Sequence, residues 1–349
     1  MICQTGTEHR SAVRPLGITA LLAIFAGGAH AQDAALIEAA KREGSVIWYT
    51  TQPIDPLVLA ATSAFQQKYG IKVGYVRANS TDVAMRIINE GKAGRMQADV
   101  FDGTTTAEPL KKNSLAVKWT PQSAKDYPPA FRDPEGYWVA TNNYVIAVSF
   151  NTNLIKPGTE PKSWEELLDP RYRGQILWSS APSTSAGPGF VGTVLKEWGE
   201  EKGMAFLKRL AGQNVAGVNA ASRVVANQII AGEYAIALQS FPENAIFSAS
   251  RGAPIQWIAM KPAMTAIVST IGLIANSPNP NAGKLLVEFL CGEEGQRIYR
   301  DTHYIPAHPK VPPLEAELTP GKHRLVNLTP SEANDAMPRW AEIYKQLFR

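Results

Sequence analysis

The stretch Ser183-Thr184-Ser185-Ala186-Gly187 brings three hydroxyls and a glycine together, directly before Pro188 and an apolar run that reaches Trp198. Proline suits the first turn of a helix, so this stretch is expected to open one. A helix N-terminus offers unpaired N–H donors and the positive end of the helix dipole, and serine and threonine hydroxyls add further donors. Such a loop can hold an anion without a lysine or an arginine; equally, Ser185 or a neighbour can cap the helix. Arg77 and Arg223 are two cations with a similar choice. A guanidinium grips carboxylate or phosphate bidentately, or joins a surface ion pair.

Catalytic chemistry would need partners that the chain does not supply. His303, His308 and His323 come late and are separated by prolines, with no H-E-x-x-H or Cys/His zinc spacing. There is no G-x-S-x-G elbow and no G-x-x-x-x-G-K-[ST] phosphate loop. Serines abound, but no histidine is placed to activate one. Gly187-Pro188-Gly189-Phe190-Val191-Gly192 does match G-x-G-x-x-G. In a dinucleotide site those glycines follow the strand almost directly, whereas here residues 180–187 intervene, so a glycine-rich helix start is the better reading. No cofactor, no built-in metal and no enzymatic activity are expected. Trp48 and Tyr49 lie in an apolar run and read as core.

The elements that must position these residues alternate. Residues 33–43 read as a helix, 45–51 as a strand, 56–69 as a helix, 71–76 as a strand, 82–90 as a helix and 98–101 as a strand. This βα alternation predicts a parallel sheet. It breaks in the proline-rich stretch 117–140 and resumes after the strong strand 144–150. A strand is then expected at 175–179, helices at 189–198, 203–210 and 223–231, and a strand at 235–238. The strand 266–275, the helix 282–300 and a terminal helix 338–348 follow. Two α/β lobes joined by extended segments near 141–150 and 262–275 would place a cleft at the carboxyl ends of both sets of strands. Residues 50–53, 102–106, 179–187 and 239–243 should meet there.

The formal charge is +4, from 35 basic and 31 acidic side chains. So small and dispersed an excess argues against nucleic-acid binding. Two cysteines, Cys3 and Cys291, cannot form a disulfide scaffold. Arg10 and Arg14, the apolar stretch 16–28 and Ala29-His30-Ala31 make a secretory signal, with cleavage expected after Ala31. The apolar stretch is too short to span a membrane, and no later run is long enough. A soluble, exported mature protein is expected.

Longer motifs then carry a resemblance. Residues 161–174 (PKSWEELLDPRYRG) resemble the P-x-S-W-x-[DE]-L-x-[DE]-P-x-[YW]-[KR]-G segment of type II periplasmic solute-binding proteins. Residues 279–284 (NPNAGK), with Glu288-Phe289-Leu290 and Glu293-Glu294-Gly295-Gln296, are similar to their lobe-closing helix, and Ala98-Asp99-Val100-Phe101 to their ADV[FV] segment. The branch with the strongest resemblance includes the ferric-ion-binding proteins of ABC importers. The resemblance implies a two-lobed type II periplasmic-binding-protein fold, α/β, with a hinge of two crossing strands and ligand capture by lobe closure. It implies a monomer in the periplasm that delivers its ligand to an inner-membrane ABC permease. The expected division is a signal at 1–31, a first lobe at 32–142 with 268–312, and a second at 143–267 with 313–349.

The iron positions of ferric members are not kept. Thr51-Gln52-Pro53 stands where a His or Tyr is expected, Thr104 near the usual Glu, and Ser240-Phe241-Pro242-Glu243 where paired tyrosines follow the Gly-Glu strand. Ferric iron needs anionic oxygens, and this set supplies too few. The 183–187 loop does match the one with which ferric members hold their synergistic anion. A small organic anion (carboxylate, phosphonate or zwitterion) is the expected ligand, with ferric iron as the alternative. Thr51, Gln52, Arg77 and Thr104 of one lobe are expected to hold it. From the other lobe come Ser183, Thr184, Ser185, Ala186, Gly187, Ser222, Arg223, Ser240 and Glu243. Glu243 either meets an amino group of the ligand or is a solvated loop residue.

Overall fold

A computed structural model describes residues 25–183 and 185–348. Thr184 and most of the expected signal segment lie outside the described residues. The first half comprises α1 (Phe25–Glu43), β1 (Ser45–Thr50), α2 (Leu59–Tyr69), β2 (Lys72–Arg77), α3 (Ser80–Lys92), β3 (Val100–Gly103), α4 (Ala107–Lys112), β4 (Ala116–Val117) and β5 (Val139–Asn151). It continues with β6 (Ile176–Ser179), α5 (Gly187–Ala211), β7 (Ala216–Val218), α6 (Ser222–Ala231), β8 (Ile236–Ser240), α7 (Pro242–Ala249), β9 (Ile255–Ile258) and β10 (Met264–Ile274). The chain ends with α8 (Pro280–Cys291), α9 (Glu293–Asp301), β11 (Ile305–Pro306), β12 (Leu325–Leu328) and α10 (Pro330–Leu347). Among the described residues no helix is long and apolar enough to cross a membrane.

The strands form a sheet in the order β2-β1-β3-β10-β5-β8-β6-β7. β1 pairs in parallel with β2 and β3, and β6 with β7 and β8. Between these two parallel groups run β5 and β10, antiparallel to each other from Thr265↔Ile146 to Ile271↔Val139, with a register shift between Ser269 and Thr270. Both are longer than the sequence pattern predicts. Their residues are buried along almost the whole length, because the strands cross the centre of the sheet and both faces are covered.

Two large apolar cores lie on either side of this crossing. One gathers Val46, Trp48, Phe65, Phe101, Leu286 and Tyr299. The other gathers Phe150, Trp164, Trp178, Phe190, Leu207 and Trp340. The result is the mixed α/β, two-lobed fold expected from the motifs, with β5 and β10 as the crossing strands.

Several elements differ from the pattern-based expectation, each for a local reason. The helices expected at 189–198 and 203–210 are one element, α5, interrupted at Gly199, whose φ of 77° and ψ of 175° leave the helical region. The helix expected over 282–300 is two, because Gly292 is extended (φ −76°, ψ 164°) between α8 and α9. The terminal helix begins at Pro330, well before 338. There Thr329 Oγ1 accepts from Glu332 N at 3.2 Å while Glu332 Oε2 accepts from Thr329 N at 3.1 Å, a reciprocal cap.

One buried carboxylate ties the first lobe together. Asp99 accepts from Ile47 N (2.7 Å), Ser277 Oγ (2.6 Å), Asn279 N (2.8 Å) and Asn279 Nδ2 (3.2 Å). It thereby fixes β1 against the segment that leads into α8. Replacing it by alanine leaves those donors unpaired, at about 1–3 kcal/mol for a buried group. Asp99→Ala is expected to lower the urea unfolding free energy by about 2–4 kcal/mol; a loss below 0.5 kcal/mol would contradict this assignment.

Candidate functional site

The carboxyl ends of the parallel strands carry the polar residues, and Tyr144 on β5 joins the two groups. Its hydroxyl donates to Gln52 Oε1 at 3.1 Å, just beyond the end of β1. Its ring centroid lies 5.1 Å from that of Phe241, just beyond the end of β8, and 5.9 Å from that of Tyr304.

On the first-lobe side the organising group is Asp102, in β3. Its Oδ2 accepts from Thr50 Oγ1 at 2.5 Å, and its Oδ1 from Thr51 N and Thr51 Oγ1 at 2.7 and 2.8 Å. Complete burial pushes its carboxyl up to about 6 against those hydrogen bonds, which favour the ionised form. Gly103 follows with φ 139°, and a Cβ there would lie 2.3 Å from Thr106 Oγ1, 2.8 Å from Ser80 Oγ and 2.9 Å from Thr51 Cγ2. Glycine is therefore needed for both conformation and space. Thr104 donates its N–H to Ser80 Oγ at 3.3 Å. Thr51 and Thr104 are thus gathered at one edge, half-buried.

Gln52 behaves otherwise. It is fully buried, and its amide donates to Asn142 Oδ1 (3.2 Å) and Ser269 Oγ (3.0 Å) while accepting from Tyr144. Its side chain is spent on the crossing strands. Arg77, the last residue of β2, is exposed and forms no ion pair among the described residues. Its charge acts on the Tyr304 phenol, as the smallest of the influences on that group.

On the second-lobe side the helix α5 has Ala186 as its N-cap, extended and without a side-chain capping bond. The capping alternative for Ser185 is therefore not what the fold adopts. Instead Ser183 Oγ and Ser185 Oγ lie 3.4 Å apart, both partly exposed. Gly187 begins the helix, so its N–H and that of Gly189 fall in the first turn, where no intrahelical acceptor exists. Ser222 opens α6 after Ala221, again without a side-chain cap. Arg223 is exposed, its guanidinium 5.6 Å from the Phe247 ring centroid.

Ser240 faces inward: it is buried and its hydroxyl accepts from Ser149 Oγ at 2.8 Å, across the sheet. Glu243 is the second residue of α7. Burial pushes its carboxyl up to about 8, only partly offset by its own backbone N–H. Its charge acts on Tyr144 and Tyr304, and it forms no ion pair among the described residues.

The sequence places Asp102 and Phe241 in segments expected at the cleft but shows neither the organising role of Asp102 nor the contact of Phe241 and Tyr304 with Tyr144. Asp102 carried a signal, a carboxylate at the end of a strand in an apolar run. Tyr304 carried none, because it reaches the cleft from the turn after α9. Among the described residues no group of three or more His, Cys, Asp or Glu side chains could hold a metal ion. A surface hollow of about 550 Å³ is lined by residues of α3 and its C-terminal loop, including Asp82, Arg86, Glu90 and Arg95, and by none of the residues above.

Comparison with known proteins agrees with this architecture. The chain is 26% identical over 259 residues to a Salmonella typhimurium protein provisionally named as 2-aminoethylphosphonate-binding and periplasmic, covering 73% of this chain and 72% of that one. It is 23% identical over 253 residues to iron uptake protein A1 of Synechocystis, covering 69% of each. The solved periplasmic binding protein P5PA superposes with a TM-score of 0.73 at 19% identity, over 88% of this chain and all of that one. The family model for bacterial extracellular solute-binding proteins matches residues 96–346, and the chain belongs to that family.

Proposed function

We propose that this solute-binding protein captures a small zwitterion, an ammonium joined to a phosphonate or carboxylate, and delivers it to an inner-membrane ABC permease from the periplasm without chemical change. The observation that carries this reading is Glu243: a half-buried carboxyl just beyond the end of β8, raised by desolvation and with no cationic side chain paired to it among the described residues. A buried charge needs a partner, and a ligand ammonium can be that partner. The anionic end fits the hydroxyls of Ser183 and Ser185 and the first-turn N–H groups of α5. Arg77 and Thr104 approach from the other lobe, where Thr51, whose N–H and hydroxyl both donate to Asp102, shapes the edge; Ser222 and Arg223 lie at the rim. The name of the Salmonella relative, for an aminophosphonate, supports the same pairing of charges.

The lobes are proposed to divide at 142/143 and 267/268, with residues 313–349 returning to the second lobe. Closure follows because the closed form offers both ends of the site to one ligand. Iron is the weaker reading. Ferric iron needs several anionic oxygens, whereas Asp102 has both of its oxygens engaged by Thr50 and Thr51 and burial pushes the Tyr144 and Tyr304 phenols up.

A thermal-shift panel of 2-aminoethylphosphonate, ethylphosphonate, amino acids and ferric iron with bicarbonate tests the proposal. A ligand at about 100 times its dissociation constant adds about 2.7 kcal/mol, a readily visible shift. The amine-bearing anion is expected to shift the protein most, and a shift with iron alone would overturn the reading. Ser185→Ala and Arg77→Ala are each expected to weaken the bound zwitterion about tenfold by calorimetry, the scale of one charge-assisted hydrogen bond.

Glu243 adds a pH signature. Its folded carboxyl lies above its ordinary value of 4.5, so the stability of the unliganded protein is greatest below that value and falls as pH rises through about 8. Affinity for the amine runs the other way, rising as the carboxylate forms. Glu243→Gln is expected to flatten the melting temperature between pH 5 and 8 and to erase the preference for 2-aminoethylphosphonate over ethylphosphonate. An unchanged preference would remove Glu243 from the site.

A further inference from the structure

The glycines of 187–192 find their explanation in the C-terminal helix. Neither Gly187, Gly192 nor Gly217 has a positive φ, so none is required by backbone conformation. All three are required by contact. A Cβ on Gly187 would lie 2.3 Å from Tyr344 Cε2, one on Gly192 2.5 Å from Trp340 Cε2, and one on Gly217 2.6 Å from Tyr344 Oη. Trp340 and Tyr344 are four residues apart on one face of α10, and Phe348, four further on, is the residue just past its end. The Tyr344 ring centroid is 5.4 Å from Trp178 on β6 and 5.6 Å from Phe348, and Phe348 lies 4.7 Å from Trp178.

Tyr344 therefore touches three pieces at once: the end of β6, the middle of β7 and the first residue of α5. Those pieces bound the loop that carries Ser183 and Ser185. Among the described residues the backbone bonds of this stretch are Ser180 N to Val218 O (2.8 Å), Ser183 N to Ala181 O (2.8 Å) and Ala186 N to Ser183 O (3.3 Å). Donors aimed at an anion are effective when held in place beforehand, since holding them removes the ordering cost on binding.

We propose that Tyr344 is a positioning residue for ligand binding: its ring, wedged against Gly187 and Gly217, holds the Ser183–Ser185 loop and the first turn of α5 in their anion-receiving geometry. The role of the loop rests on the functional reading above; the positioning itself is tested without any ligand.

The test is hydrogen exchange, read by mass spectrometry on the full chain without ligand, for wild type, Tyr344→Phe and Tyr344→Leu. Tyr344→Leu is expected to raise exchange at residues 181–190 at least tenfold, with little change in β8 of the same lobe. Tyr344→Phe, which keeps the ring and removes the hydroxyl, is expected to raise it less than Tyr344→Leu does. Unchanged exchange at 181–190 in a folded Tyr344→Leu, or a rise spread evenly through the second lobe, would overturn the proposal. If Tyr344→Leu does not fold, Gly187→Ala, whose methyl displaces the same ring, is read by the same criterion. Calorimetry with 2-aminoethylphosphonate supplies the second readout, in which Tyr344→Leu loses at least tenfold in affinity and Tyr344→Phe loses less. A wild type that binds no phosphonate counts against the functional reading alone, and the exchange result still decides the positioning.

Discussion

The buried amide of Gln52 is the constraint on which the two-lobed arrangement turns. It sits where β1 ends, donates to Asn142 on β5 and Ser269 on β10, and accepts from Tyr144 on β5. An amide at this depth is costly if any of its groups lacks a partner, so the first-lobe strand end and both crossing strands hold one relative geometry. The register shift of β5 against β10, between Ser269 and Thr270, falls at this same junction, at the residue that Gln52 holds. Through the Tyr144 ring the same junction reaches Phe241 and Tyr304, the walls of the cleft.

The two carboxyls of the region are treated in opposite ways. Asp102 is surrounded by donors from Thr50 and Thr51, so its oxygens are committed to shaping the edge of the first lobe. Glu243 has only its own backbone N–H to set against burial, and its carboxyl rises accordingly. Asp99 and Asp102 are surrounded by hydrogen bonds from the chain, whereas Glu243 has no ion-pair partner among the described residues. That contrast, together with an Arg77 guanidinium that forms no ion pair among the described residues, is the basis on which we propose a ligand carrying both charges.

Much of this was legible in the sequence, because strand ends and turns leave strong local marks. The alternation from β1 to β3 follows from apolar periodicity, and the loops at 50–53, 102–106, 179–187 and 239–243 follow from where those strands stop. The reading failed where long-range packing decides. Gln52 and Ser240 have the polar character of cleft residues, yet both turn inward to partners about 90 positions or more away in the chain, Asn142, Ser269 and Ser149. Tyr304 enters the cleft from the far end of the chain for the same reason. The Thr329–Glu332 cap was visible as T-x-x-E and would have moved the start of α10 to its true place. What no local pattern could show is that Gly187 and Gly192 make room for aromatic rings some 150 residues later.

The central claim, that a ligand ammonium completes the charge of Glu243, is tested most directly by proton linkage. Titrating 2-aminoethylphosphonate into wild type and Glu243→Gln at pH 7, in buffers of different ionisation heat, separates the protons exchanged on binding from the heat of binding. The phosphonate's own titration is common to both proteins and cancels in the comparison. With a carboxyl near 8 in the free protein, wild type should release close to one proton more than the variant as the ammonium displaces it. Equal proton release by the two proteins, with tight binding by both, would contradict the account.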